Sequence, residues 1–211
     1  MTIKRFVFNL FGENTYIISE NGKAIIIDPG MNSQHECEEV DNYLQDNHLT
    51  LVRMLNTHMH VDHTCGIGHI VEKFGLHIEC NIEDEYLAKQ TIGQSQAFGL
   101  PYKGGNYEIE NNLSDGDELT FEGETIKILA VPGHTKGHIA IYLQNAGCVF
   151  TGDALFNMSI GRTDFPGGDF DTLIKSIETK LMTLPDSTIV YPGHGGQTTV
   201  GFEKANNPYL Y

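Results

Sequence analysis

Short apolar runs that end in turn-forming residues recur along the chain and constrain its fold more than any other feature. Such runs are typical of buried strands, and glycine, which tolerates the positive φ of a tight turn, concentrates where they end. The predicted strands cover residues 15–19, 23–27, 51–55, 125–131, 139–143, 148–150 and 188–191. Apolar residues at helical spacing predict four helices between them, at residues 33–48, 66–74, 83–97 and 170–184.

The order of these elements indicates how the chain is organised. Asn21-Gly22, Glu122-Gly123 and residues 145–147 each resemble the short loop of a hairpin. No proline- or serine-rich linker, repeat or low-complexity tract interrupts the order. We therefore predict one domain over residues 1–211, of mixed α/β class, with paired sheets covered by helices.

Acidic residues outnumber basic ones by 28 to 13, which gives a formal net charge of −15 at pH 7. A surface of this charge repels phosphate backbones and anionic bilayers, so we expect neither nucleic acid nor a membrane as a partner. The four cysteines are isolated, and the N-terminal segment lacks the cleavage site of a secretion signal. We expect a cytoplasmic protein, and the sequence makes no prediction of its oligomeric state.

The stretch T-H-M-H-V-D-H at residues 57–63 follows a predicted strand and gathers three histidines and one aspartate. Imidazole and carboxylate groups are ligands that suit zinc, iron or manganese. Crowded imidazoles give no stability advantage without a cation, so we favour a metal site over the alternative, a solvated polar loop. The predicted donors are His58, His60, Asp62 and His63.

Three further donors, His134, Asp153 and His194, each come just after a predicted strand and beside a glycine. Singly, each is more typical of a turn than of a ligand. Together with the first four they make seven donors, which is more than one tetrahedral zinc ion accepts. The sequence therefore predicts a bridged pair of metal ions.

These motifs and the early turn Asp28-Pro29-Gly30 resemble those of the metallo-β-lactamase superfamily, and within it those of glyoxalase II (hydroxyacylglutathione hydrolase). The resemblance extends from Asp28 to His194. It implies a four-layer αββα sandwich and two divalent metal ions, zinc in the first place, with iron and manganese as alternatives. It also assigns the ligands: His58, His60 and His134 to the first metal, Asp62, His63 and His194 to the second, and Asp153 to both as the bridge.

A metal pair of this kind indicates a hydrolase. Coordination lowers the pKa of water towards 7, so a metal-bound hydroxide is the expected nucleophile, with Asp62 and Asp153 as the catalytic carboxylates. Thiols leave easily because they are fairly acidic. The resemblance therefore favours a thioesterase that acts on small acyl-thiols such as S-lactoylglutathione. Zinc β-lactamases of the best-known class have cysteine where this sequence has Asp153, which argues against a β-lactamase.

The segment 159–169 resembles a G-R-[ST]-D loop that is shared by short bacterial glyoxalase II-like hydrolases and persulfide dioxygenases, in which the arginine lies near the glutathione site. Arg162 is therefore a predicted substrate-binding residue, since a guanidinium can hold a carboxylate at two points. The alternative is that Arg162 pairs with an aspartate of its own loop, Asp164 or Asp169.

Other residues near the predicted ligands have expected supporting roles. Phe156 and Met158 are predicted to line the mouth of the substrate pocket, although apolar side chains more often belong to a core. Asp28 and His138 are expected to orient metal ligands from the outer shell. Cys65 is expected to pack rather than to bind metal.

Two rival functions stay open from the sequence. A persulfide dioxygenase would use one iron ion held by His58, His134 and Asp153, a set of two histidines and one carboxylate. A protein that binds metal without turnover is the third possibility. Because the sequence reaches only Tyr211 beyond His194, we also expect the C-terminal helical domain of full-length glyoxalase II to be absent.

Overall fold

The computed structural model describes residues 1–210, and the chain divides into two compact units. The first comprises Met1–Cys80 and Glu85–Asn112, and the second comprises Asn81–Asp84 and the chain from Leu113 onward. Each unit contains both strands and helices, as the sequence predicts. Within residues 1–210, no helix has the length and apolar character needed to cross a membrane.

The first unit contains a sheet of six strands, which lie across the sheet in chain order. They are β1 (Thr2–Phe8), β2 (Glu13–Glu20), β3 (Lys23–Ile27), β4 (Thr50–Leu55), β5 (Ile78–Cys80) and β6 (Asn111–Asn112). The first three strands pair antiparallel, whereas β3 to β6 run parallel. β2 and β3 are buried almost throughout, although β2 begins with the three polar residues Glu13, Asn14 and Thr15.

Four helices belong to the first unit: α1 (Gln34–Asp46), α2 (Ile67–Phe74), α3 (Glu85–Ala88) and α4 (Thr91–Phe98). Ser33 and Glu36 form a capping box at the start of α1, which satisfies backbone N–H groups there. Apolar side chains of α1 and α2 pack in one core with strand residues such as Ile17, Ile26 and Met54.

The second unit has its own strands: β7 (Glu118–Phe121), β8 (Glu124–Ala130), β9 (Ile139–Leu143), β10 (Cys148–Gly152), β11 (Leu155–Phe156), β12 (Ser159–Ile160), β13 (Ile189–Pro192) and β14 (Thr198–Thr199). Six of them form a sheet in the order β14-β13-β10-β9-β8-β7, and β11 and β12 form a separate small hairpin.

Two helices complete the second unit. The first, α5 (Phe170–Ser176), continues into a π-helical turn (Ile177–Leu181), and the second, α6 (Val200–Asn206), follows β14. Leu173 and Ile177 pack with Val149 and Val190 of the sheet, as expected for an amphipathic helix laid on strands.

Most predicted elements are present, and the strands at residues 23–27 and 139–143 have the predicted bounds. The three predicted hairpin loops are confirmed by the antiparallel pairs that they join. The sequence analysis did not predict α6 or the strands β1, β5, β6, β7, β11, β12 and β14. Most of these strands are very short, and β1 buries only Phe6 and Phe8, so their apolar pattern is weak.

The prediction of one helix over residues 83–97 was wrong. A 3-10 turn (Ile82–Asp84) leads into α3, and a break separates α3 from α4. The Thr91 hydroxyl donates to the carbonyl of Ala88 at 2.8 Å, while the N–H of Ile92, which a continuous helix would direct to that carbonyl, donates to the side chain of Asn106. The predicted helix at 170–184 is likewise shorter, because its regular α-helical part ends at Ser176.

The four cysteines are all thiols. Burial raises the pKa of Cys37 to about 11 and that of Cys148 to about 12. Burial also raises the pKa of Cys65, whose Sγ donates to the carbonyl of Val61 at 2.9 Å. Cys65 therefore packs against its own turn, as expected.

The loop that contains Gly133 packs closely against α5 in the second unit. Its φ is +127°, and a Cβ atom there would lie 2.3 Å from the backbone nitrogen of Leu173 in α5. We predict that Gly133→Ala lowers the free energy of unfolding by about 3 kcal/mol or more, because either the Gly133 loop or the backbone of α5 would have to move.

In the matched control Gly147→Ala, φ is +65° and a Cβ would have nothing within 4 Å. That variant should lose only about 1 kcal/mol in urea denaturation, and equal losses would contradict the prediction.

Candidate metal centre

In the first unit, two neighbouring parallel strands end at the same edge of the sheet. β3 ends at Ile27 and is followed by Asp28, and β4 ends at Leu55 and is followed by the histidine-rich segment 57–63. Ligands in sheets of this kind bind beyond the carboxyl ends of the strands. The topology thus brings Asp28 next to the predicted donors.

The side chains of His58, His60 and His63 form a buried cluster, and none is more than 7% exposed. The ring centroid of His58 lies 4.9 Å from that of His60 and 4.2 Å from that of His63. A 3-10 turn (Val61–His63), in which the N–H of His63 donates to the carbonyl of His60, folds the segment back on itself. Buried imidazoles at this density suit a bound cation.

Asp28 contacts this cluster through Thr57 and His63. Its carboxylate accepts hydrogen bonds from the backbone N–H and the hydroxyl of Thr57, both at 2.7 Å, and lies 3.1 Å from Nδ1 of His63. Asp28, His58 and His63 offer ligand atoms within 4.8 Å of one another. Because Nδ1 of His63 is directed at Asp28, Nε2 is the atom presented to a metal. This contact fits the expectation that Asp28 orients a predicted ligand.

Glu13 is a buried carboxyl group beside this cluster that the sequence analysis missed. Its Oε1 lies 3.8 Å from Nδ1 of His63, and its Oε2 accepts a hydrogen bond from the hydroxyl of Thr15 at 2.9 Å. Burial raises the pKa of Glu13 well above its usual value, although His63 opposes the shift. Glu13 is followed by the polar residues Asn14 and Thr15, so no local pattern marked it as buried.

In the second unit, β8, β10 and β13 run in the same direction. β10 and β13 are parallel, while β8 and β10 both pair antiparallel with β9, which lies between them. Their carboxyl ends therefore share one edge of the sheet. His134, Asp153 and His194 follow these three strands and are brought together at that edge.

The Asp153 carboxylate lies between the two histidines. Its Oδ2 is 3.7 Å from Nε2 of His134 and 3.5 Å from Nε2 of His194. Two ligand atoms about 2.1 Å from one tetrahedral ion are about 3.4 Å apart, so both separations fit a carboxylate that shares a metal with either histidine. In the first unit, Oδ2 of Asp62 lies 3.7 Å from Nε2 of His63, which fits in the same way. The residues present thus suit divalent metal ions.

Neighbouring groups orient these side chains. Nδ1 of His134 lies 2.7 Å from the carbonyl oxygen of Arg162, a contact that selects the tautomer with Nε2 directed to a metal. The backbone N–H of Asp153 donates to Nε2 of His138 at 3.0 Å. His138 thus contacts the backbone of a predicted ligand, which fits the expected supporting role.

Asp84 anchors the loop that carries His134, and the sequence analysis missed it. The residue is fully buried, and its carboxylate accepts hydrogen bonds from the hydroxyl of Thr135 and the N–H of Gly137, both at 2.7 Å. No local pattern marks Asp84, because it lies in a polar stretch that was predicted to begin a helix.

The structure places Arg162 on its own loop. Its Nε and Nη2 donate to the two carboxylate oxygens of Asp164, both at 2.6 Å, and the guanidinium lies 3.8 Å from the centroid of the Phe165 ring. The hydrogen bonds from Arg162 lower the pKa of Asp164 to about 2. Asp169 instead caps α5 by accepting from the N–H of Thr172. Substrate binding by Arg162 stays a prediction.

Phe156 and Met158 lie on the small β11-β12 hairpin and its turn. The half-buried ring of Phe156 contacts the ring of His194 edge to face, with centroids 6.0 Å apart. Met158 is 43% exposed. Phe156 therefore adjoins a predicted ligand, and the role of both residues in substrate binding stays a prediction.

Known proteins resemble this chain over almost its whole length. A family model described as the metallo-β-lactamase superfamily matches residues 9–194. The hydroxyacylglutathione hydrolase GloC of Haemophilus influenzae is 39% identical over 218 residues, which cover 100% of this chain and 98% of that protein.

Solved structures agree with the predicted fold. The crystal structure of the BLEG-1 B3 metallo-β-lactamase has a TM-score of 0.90 and 31% identity, and the match covers 99% of each chain. The crystal structure of TTHA1623 in a di-iron-bound form has a TM-score of 0.87 and 32% identity, and the match covers 98% of this chain and 100% of that one. The predicted metallo-β-lactamase fold is confirmed. The chain belongs to the metallo-β-lactamase superfamily.

Proposed function

We propose that this protein is a binuclear metal-dependent thioesterase that hydrolyses small acyl-thiols such as S-lactoylglutathione. The observation that carries the proposal is the Asp153 carboxylate between His134 and His194, at separations that suit shared metal ligands. The name of the 39% identical relative, a hydroxyacylglutathione hydrolase, supports the substrate class.

In this proposal seven residues hold two divalent ions, zinc in the first place, with iron or manganese as alternatives. When bound, the ions supply Lewis acidity and lower the pKa of a water molecule towards 7. The di-iron form of a similar solved protein supports testing iron beside zinc. The proposed ligands are His58, His60 and His134 for one ion, Asp62, His63 and His194 for the other, and Asp153 for both.

The chain's own residues position the attacking water and the proposed metal ligands. Asp62 and Asp153 are the proposed catalytic carboxylates, which hold the attacking water by accepting its hydrogen bonds. His134 keeps its proton on Nδ1, 2.7 Å from the carbonyl of Arg162, so its Nε2 stays in the ligand position. The ring of Phe156 contacts the ring of His194 on one side. Hydrolysis forms a bond between the water oxygen and the acyl carbon and breaks the carbon–sulfur bond. The sulfur leaves as a thiolate, and solvent takes up the protons of the attacking water and protonates the thiolate, since a cysteine-like thiol has a pKa of about 8.5.

Metal analysis combined with a substrate panel tests this proposal. We expect about two metal ions per chain, together with hydrolysis of S-lactoylglutathione or a smaller thioester. Asp153→Ala should lose bound metal and lower kcat by about a thousandfold or more, because one carboxylate serves both ions. A metal-replete Asp153→Ala protein with full activity would contradict the bridging role.

The same panel separates the alternatives. One iron ion per chain and oxygen uptake with glutathione persulfide would favour a persulfide dioxygenase with iron at His58, His134 and Asp153. Hydrolysis of a β-lactam but of no thioester would favour the activity for which the BLEG-1 structure is named. Bound metal without turnover of any panel member would leave a metal-binding protein.

Asp28 is predicted to control metal affinity without binding metal. Asp28→Asn replaces an acceptor of the His63 Nδ1 proton by an amide, so the preferred tautomer is lost and metal affinity should fall by about 10- to 100-fold. Asp46→Asn, at an exposed position in α1, is the matched control. Competition with a chromogenic chelator measures both affinities. Equal affinities in the two variants would show that Asp28 has no such role.

Arg162 is proposed to bind a carboxylate of the thiol half of the substrate in place of Asp164. The hydrogen bonds from Arg162 lower the pKa of Asp164 to about 2, so a change of assay pH near neutrality does not separate the pair and mutation is used instead. Asp164→Asn should lower KM for carboxylate-bearing thioesters by about threefold, whereas Arg162→Gln should raise it by about as much. Neutral thioesters serve as the control, and a change in their KM of the same size would contradict a carboxylate contact.

A further inference from the structure

The last helix of the described chain carries buried polar side chains that the proposed reaction does not use. Glu203 of α6 and the adjoining Asn207 are fully buried. The Glu203 carboxyl group accepts hydrogen bonds from the hydroxyl of Thr198 at 2.6 Å, the N–H of Met158 at 3.0 Å and the side-chain amide of Asn207 at 2.8 Å. A buried network of this kind fixes one arrangement, because breaking it leaves unpaired polar groups.

This network holds the β11-β12 hairpin. The N–H of Met158 donates to Glu203, and the carbonyl of the next residue, Ser159, accepts from the side-chain amide of Asn207 at 3.1 Å. The hairpin itself has only two cross-strand residue pairs. Because a two-stranded hairpin of this size is not stable on its own, its position depends on the core packing of Leu155 and Ile160 and on the bonds that hold its turn to α6.

The backbone of the hairpin turn is itself strained. Met158 has φ +60°, which is uncommon for a residue other than glycine. Such a conformation persists where the surroundings impose it. The hydrogen bond from the Met158 N–H to Glu203 supplies this constraint, and it leaves an apolar side chain 43% exposed rather than in a core.

The hairpin is joined at both ends to segments that contact predicted ligands. Asp153 lies two residues before β11, and Gly161 follows β12. A Cβ atom at Gly161 would lie 1.7 Å from the carbonyl oxygen of Asp153, so the two backbones are in direct contact. The ring of Phe156 rests on the ring of His194. The hairpin is therefore a wall beside the donors of the second unit.

We propose that Glu203 and Asn207 are positioning residues that set substrate affinity by fixing this wall, against which Phe156 and Met158 receive the acyl group. The inference rests on the proposed thioesterase function and adds a specificity to it. Residues 155–160 carry no charged side chain. The wall therefore selects thioesters with an uncharged acyl group over those whose acyl group carries a carboxylate.

The experiment uses the full chain loaded with metal and compares Glu203→Ala with Glu203→Gln, whose amide oxygen still accepts from Met158. Glu203→Ala should raise KM for uncharged acyl thioesters by about tenfold and leave kcat within about twofold, while Glu203→Gln retains a KM close to that of the unmodified protein. KM for a carboxylate-bearing acyl group should change little.

Two readouts do not depend on activity. Amide hydrogen exchange at Met158 should become about tenfold faster in Glu203→Ala but not in Glu203→Gln, because only the first variant leaves that N–H without its acceptor. Metal content should be equal in both variants. Unchanged exchange at Met158, or a parallel loss of metal and kcat, would overturn the positioning role.

Met158→Gly provides the test if Glu203→Ala does not fold. Glycine adopts φ +60° without strain, so this variant removes only the side chain, and KM for uncharged acyl groups should rise. Asn21→Gly is the control, because it relaxes a similar φ of +51° in the β2-β3 turn of the first unit and should not alter KM. A Met158→Gly protein with unchanged KM would overturn this inference alone, whereas failure to hydrolyse any thioester would overturn the proposed function as well.

Discussion

Several imidazoles and carboxylates can stand close together in a protein only if something other than their own attraction holds them. In both units of this chain, strand direction supplies that frame. Like-directed strands end at one edge of each sheet, and the donors follow those ends. Hydrogen bonds then fix the side chains, as Asp28 does for His63 and the carbonyl of Arg162 does for His134. Metal binding here would thus depend on contacts among the protein's own residues that orient the donors.

Much of this arrangement could be predicted from the sequence, because the signals were local. An apolar run that ends in glycine predicts both a strand and the point at which it ends, so β3 and β9 were placed at their observed bounds. The histidines of residues 57–63 were identified as donors for the same reason, since three imidazoles within a short stretch are conspicuous in any fold. The supporting role of His138 was predicted from its proximity in sequence to His134, and that of Asp28 from its turn beside the strands that carry the motifs.

The residues that the sequence analysis missed share a different property. Glu13, Asp84 and Glu203 are fully buried acids whose roles depend on partners far along the chain. Asp84 binds Thr135, and Glu203 binds Met158. No periodicity marks such pairs, because only the folded chain brings them together. Arg162 was predicted in part. The sequence offered two binding partners for its guanidinium, a substrate carboxylate or a neighbouring aspartate, and the structure shows hydrogen bonds to Asp164.

The raised thiol pKa values of Cys37 and Cys148 matter for a protein that is proposed to release a thiol. Exchange between a thiol and a disulfide requires a thiolate, and burial holds the pKa values of Cys37 and Cys148 near 11 and 12. At neutral pH very few of these sulfurs are ionised. These two positions should therefore form mixed disulfides with glutathione only slowly.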